Sequence, residues 1–114
     1  MPKSMRLNKR SSVLQERRAA EDIGGKVQPG SGAPEFYKGD VIKQGELVVE
    51  CKTTGSRSYV LKLSTIEKIK SESIMAGGAG WAMQVEFQTA SGNKKFAVID
   101  WAEYTDLRSN NGGQ

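Results

Sequence analysis

Apolar and polar positions alternate with helical spacing in some stretches and strand spacing in others, and together they predict seven elements. The first is a helix over Ser12–Ile23. Val13, Ala20 and Ile23 fall on one face, Ser12 with Gln15 three residues later has capping-box form, and Gly24-Gly25 supplies the stop. Glu16 lies in the middle of that face, between Val13 and Ala20, while Glu21 points elsewhere with Leu14 and the arginines. An acid on an inward stripe stands out. The following stretch, Gln28-Pro29-Gly30-Ser31-Gly32-Ala33-Pro34, is too rich in Pro and Gly for a regular element.

Three short strands are expected next. Asp40-Val41-Ile42-Lys43 turns through Gln44-Gly45-Glu46 into Leu47-Val48-Val49-Glu50-Cys51-Lys52, and Ser58-Tyr59-Val60-Leu61-Lys62-Leu63 reads as the third. Ser64-Thr65-Ile66-Glu67 is a capping box opening a second helix, with Ile66, Ile69 and Met75 as its apolar side and Gly77-Gly78 as its end. Trp81 to Phe87 alternates as a half-buried strand. The turn Ala90-Ser91-Gly92-Asn93 leads to Phe96-Ala97-Val98-Ile99, a short and more fully buried one. The fold class is α/β, in the order α-β-β-β-α-β-β with no internal repeat.

Composition narrows the chemistry. At 114 residues and 12.4 kDa the chain has room for one ordinary domain. Residues 1–11 read as a flexible basic arm, 12–104 as a single domain and 105–114 as a disordered tail. With no histidine, imidazole acid/base catalysis and imidazole metal sites are excluded, and a lone Cys51 makes neither a disulfide nor a zinc site. Any metal must be held by oxygen, which favours Mg²⁺, with Mn²⁺ a substitute, or Ca²⁺. No stretch has the roughly 18 apolar residues of a membrane span, and no apolar segment follows the N-terminal charges. Membrane insertion and secretion are not expected, and the cytoplasm is.

Charge is uneven. Lys3, Arg6, Lys9, Arg10, Arg17 and Arg18 put six cations in the first 18 residues against the single acid Glu16. Such an arm either stays solvated or lies along phosphates. The net charge of +4 and pI near 9.3 hint weakly at a polyanionic partner.

The sharpest constellation is Asp40 followed ten residues later by Glu50-Cys51-Lys52. Strand alternation puts Cys51, with Leu47 and Val49, on the core face and Glu50 and Lys52 on the other, where they are expected to emerge together at the end of a hydrophobic strand. Register decides whether Asp40 joins them. A two-residue loop at Gln44-Gly45 pairs Asp40 with Val49, on the wrong face; a metal site needs the three-residue loop Gln44-Gly45-Glu46, which sets Asp40 opposite Glu50, or an Asp40 that bends in from just before the strand. In that register two carboxylates and the Cys51 backbone carbonyl can hold a hard cation. A lysine beside it can orient or help deprotonate water and offset phosphate charge. As a bare pattern, D…ExK also occurs as surface charge on a hairpin.

More than the bare pattern is present. Gly30-Ser31-Gly32-Ala33, Lys38-Gly39-Asp40-Val41, Val49-Glu50-Cys51-Lys52-Thr53-Thr54 and Ser58-Tyr59 together resemble the PD-(D/E)xK nuclease superfamily. Within it the chain resembles the small Holliday-junction-resolvase-like endonucleases of archaea and phages, from about Glu16 to Phe87. The resemblance implies a restriction-endonuclease-like core, a central mixed β-sheet flanked by helices, with 12–104 as the nuclease domain. It implies Asp40 and Glu50 as Mg²⁺ ligands, Lys52 as the catalytic lysine, Glu16 as an acid assisting the metal site and Ser31 as a serine beside the scissile phosphate. Gly39 stands where the motif's naming proline falls.

The function so implied is Mg²⁺-dependent hydrolysis of branched DNA, a four-way junction first, by a homodimer, since symmetric cutting needs two sites. If phage-encoded, the enzyme would act in the host cytoplasm. Expected DNA contacts are Lys3, Arg6, Lys9, Arg10, Arg17, Gly30, Ser31, Gly32, Arg57 and Lys68. Three of them have a plainer alternative of their own: Ser31 as a turn residue, Lys68 with Lys70 as a solvated helix face, Arg57 as a solvent-facing cation. Cys51 reads as a small core residue, Tyr59 and Trp81 as packing residues, and Glu35 and Glu46 as surface acids. The rival functions are a nicking, flap or linear-duplex nuclease of the same superfamily, a non-catalytic basic DNA-binding module, and a purely structural protein.

Overall fold

The structure is a computed structural model that describes residues 3–28, 40–78 and 80–112, with the backbone alone over 3–10 and 111–112. Its elements are α1 (Lys3–Ile23), β1 (Lys26–Val27), β2 (Val41–Lys43), β3 (Leu47–Thr54), α2 (Leu63–Met75), β4 (Gly80–Thr89), β5 (Gly92–Val98) and α3 (Trp101–Gly112). The strands form one mixed sheet in the order β1-β2-β3-β4-β5. Only β3 and β4 are parallel, joined by the crossover through α2; the other pairs are antiparallel. Among the described residues no helix is long and apolar enough to cross a membrane.

Alternation along β3 divides the core between two helices. Val41, Val49 and Cys51 face α1 and bury against Ala19 and Ala20. On the opposite face Ile42 and Val48 pack on Ala76, and Met83 and Val85 on Ile69. Tyr59 and Trp81 join that second cluster as packing residues. Both faces of the central strands are covered, so β3 reads Leu-Val-Val without interruption before its charged residues.

Glycine fixes how α1 meets the sheet. The Gly25 amide bonds the Ala20 carbonyl at 2.9 Å and the Gly24 amide the Glu21 carbonyl at 3.4 Å, a Schellman end. The chain then runs so close to β2 that a Cβ on Gly25 would lie 2.8 Å from the Ile42 carbonyl oxygen.

Several expectations are corrected. The first helix starts at Lys3 rather than Ser12 and takes in most of the expected arm, so Ser12 and Gln15 lie mid-helix and form no capping box. Its inward residues are Gln15, Ala19 and Ala20, while Val13 is half exposed. No strand forms over 58–62, and Leu63 opens α2. The reason is topological: β2 and β4 already occupy both edges of β3, so Val60, Leu61 and Leu63 find no partner strand and stay exposed. The helix consequently begins ahead of Ser64, with Lys62 at its N-cap and no side-chain cap. Its buried face is Ile69, Glu72 and Ser73; Met75 is exposed.

At the C-terminal end, β5 is an edge strand with mostly exposed residues rather than a buried one. Residues 105–112, expected as tail, lie in α3. Asp100 caps that helix, its Oδ1 accepting the Ala102 amide at 2.9 Å. The described order is thus α-β-β-β-α-β-β-α. One helix more than expected is present, and the first expected strand is preceded by β1 instead of the third being formed.

Candidate active site

The β2–β3 loop is the three-residue one, the longer of the two expected. Lys43 pairs with Leu47, Gly45 takes a φ of 76°, and the Glu46 amide bonds the Lys43 carbonyl at 2.9 Å. Val41 pairs with Val49, so the register sets Asp40 across from Glu50, one residue further on. Asp40 Oδ2 accepts the Cys51 amide at 2.8 Å, which holds the carboxylate beside β3 at the end of β2. The N–H and C=O of one strand residue point to the same side, so the Cys51 carbonyl also faces this end of β2.

Glu50 does not emerge into solvent as strand alternation implied; it is 7% exposed. Its Oε2 pairs with Lys52 Nζ at 3.3 Å, and its buried Oε1 has no hydrogen-bond partner among the described residues. Lys52 is half-exposed and bridges the buried acid to the surface.

The acids repel one another. Burial, then the Glu50 charge, pushes Asp40 up to about 6, against the opposing pull of the Cys51 amide, Lys52 and Lys68. Glu16, on α1, is raised as well, by burial and then by the Asp40 and Glu50 charges. Its position is the flank of the inward stripe, not the centre. Burial alone would lower Lys52, but the charge and hydrogen bond of Glu50 outweigh it and hold the ammonium above its ordinary value. Lys52 is therefore a fixed cation at neutral pH, suited to orienting water or offsetting phosphate charge and unsuited to acting as a base. Burial, followed by the nearby acids, drives the Cys51 thiol up to about 12, which leaves it an inert core residue.

An orphaned, buried Glu50 oxygen beside a carboxylate of raised pKa is an arrangement that a divalent cation would relieve, and its donors are the hard oxygens Mg²⁺ prefers. As the side chains stand, no group of three or more His, Cys, Asp or Glu among the described residues could hold a metal ion together. Lys52 occupies the other Glu50 oxygen instead.

Of the remaining candidates, Lys68 lies exposed on α2, near enough for its charge to act on Asp40. Arg17 is exposed on α1, and Arg57 is exposed just after β3. Lys3, Arg6, Lys9 and Arg10 belong to the first turns of α1, and their side chains lie outside the described residues. Gly30, Ser31, Gly32 and Glu35 also lie outside them. Glu46 is the surface acid expected, paired with Lys43 at 2.9 Å.

Sequence reasoning missed Gln15. It is 1% exposed, and its Nε2 donates to the Lys52 carbonyl at 3.0 Å and to Gln84 Oε1 at 3.1 Å. One side chain thus ties α1 to β3 at the candidate lysine and to β4. The signal was its spacing, four residues before Ala19 and eight before Ile23.

Compared with protein-family models, with curated proteins and with solved structures, the chain matches none.

Proposed function

We propose that this chain is a Mg²⁺-dependent DNA endonuclease of the PD-(D/E)xK type, and that its substrate is branched DNA, a Holliday junction first. The single observation that carries this reading is the Asp40 carboxylate held by the Cys51 amide across from buried Glu50, with Lys52 on Glu50. Asp40, Glu50 and the Cys51 carbonyl would hold the cation, Glu50 exchanging its lysine contact for it. A cation bound there would supply a Lewis acid at the phosphate and a water of lowered pKa. Glu16, from α1, would assist in positioning that water, and Lys52, staying protonated, would offset charge on the phosphate. The basic residues of α1 track the backbone, and two protomers present two sites to one junction.

The lack of a ready three-acid group among the described residues favours a second reading, a basic DNA-binding module without catalysis. Incubating the protein with a labelled four-way junction and a matched linear duplex, each with Mg²⁺ or EDTA, separates the two. Paired cuts near the branch, present only with metal, support the resolvase. Equal cutting of the linear duplex keeps the nuclease and removes the junction preference. Binding without cutting in Mg²⁺ or Mn²⁺ leaves the module.

A further inference from the structure

On the α2 face of the sheet, the site continues toward the end of β3 in two rows. Lys52 stands beside Val85 and then Phe96; Thr54 stands beside Phe87 and then Lys94. Past Val85 the sheet opens into a cleft of about 400 Å³, whose lining includes Arg57, Phe87, Lys94 and Phe96. The two phenylalanine rings meet edge to face, 6.1 Å between centroids at 74°, and Phe96 remains 57% exposed. Arg57 and Lys94 are exposed, and neither makes an ion pair among the described residues.

We propose that this cleft receives one unpaired nucleotide of the DNA, its base against the Phe96 ring and its phosphates between Arg57 and Lys94. The inference rests on the nuclease reading and adds the part of the substrate that is recognised beside the cut. A purely apolar ligand would make no use of the two cations, and an anion without a ring would make no use of the exposed Phe96 face. A nucleotide satisfies both. Bases in an intact duplex are stacked and enter only if flipped out at a cost, whereas a single-stranded segment offers them already unstacked. The cleft adjoins the site: Lys52 and Thr54 are two residues apart on β3, roughly 7 Å, and Phe96 lies two strands over, about 10 Å.

The test is fluorescence-anisotropy binding of a labelled oligothymidylate and a blunt duplex in EDTA, where no cutting occurs. Phe96→Ala is expected to weaken oligothymidylate binding about tenfold, the scale of one lost base–aromatic stack, and to change duplex binding less than about twofold. Phe96→Trp is expected to restore it. Replacing Arg57 and Lys94 with glutamine is expected to flatten the salt dependence of single-strand binding by about 1.4 in log–log slope, two phosphate contacts' worth. Phe96 is exposed enough that these variants should fold, which far-UV circular dichroism checks. Wild-type affinity for both DNAs in Phe96→Ala, or a Phe96→Trp variant as weak as Phe96→Ala, overturns the inference while leaving cutting activity to be judged separately. Aromatic-dependent single-strand binding by a protein that never cuts would uphold the cleft and sink the nuclease.

Discussion

Asp40 is tied to the strand that carries Glu50 by a 2.8 Å hydrogen bond from the Cys51 amide, between residues eleven apart in sequence. The bond holds a carboxylate where its charge is costly. Relative to an ordinary 3.8, burial and then Glu50 raise Asp40 to about 6. The folded state therefore binds the proton more tightly than the unfolded one. Stability from Asp40 is full below pH 3.8 and is lost as pH rises through about 6. Asp40→Asn, which cannot ionise, should be more stable than wild type at pH 8, on the order of 2 kcal/mol after allowing for solvent screening. At pH 4 the two should nearly coincide. Thermal melts at both values measure this; a variant less stable at pH 8 would refute the repulsion.

Lys52→Met leaves a buried carboxylate without its cation. Because the lysine is itself partly exposed, the cost should be about 1–2 kcal/mol rather than that of a fully buried pair. Urea unfolding at neutral pH reads it. An unchanged midpoint would mean that Glu50 finds other compensation.

Gln15 is the polar pin between α1 and the sheet. Gln15→Leu conserves bulk but removes the bonds to the Lys52 carbonyl and Gln84. A loss of about 1–3 kcal/mol is expected, together with reduced activity if the pin also positions Lys52. Full stability in the variant would show the bonds to be dispensable.

Gly25→Ala drives a methyl group into the Ile42 carbonyl, at a distance that real Cβ atoms do not tolerate. The α1–β2 junction must shift, at a cost of about 1–3 kcal/mol in the melting profile. Tolerance without loss would argue against this close approach.

How legible the fold was depended on whether a feature was local. Turn chemistry and strand alternation over eleven residues reduced the β2–β3 connection to two loops, and the coordinates select the Gln44-Gly45-Glu46 one that sets Asp40 across from Glu50. The strand expected at Ser58–Leu63 failed because nothing in Val60-Leu61 reports that β4 already occupies the far edge of β3. Glu50 was expected at the surface because alternation assigns a face without telling whether a helix covers it. Gln15 was masked by a capping pattern that loses its meaning once the helix starts at Lys3. The helix α3 did announce itself: Asp100-Trp101-Ala102-Glu103 has capping form, overlooked beside the polar tail.

The central claim is that Asp40 and Glu50 hold the cation that cuts DNA. Its most direct measurement is Mg²⁺- and Mn²⁺-dependent cleavage of a labelled four-way junction by wild type, Asp40→Asn and Glu50→Gln, with binding of the same junction measured in EDTA. The account predicts cutting by wild type alone, with all three proteins binding the junction comparably. Cutting by either variant at the wild-type rate, or by none of the three under either metal, would contradict it.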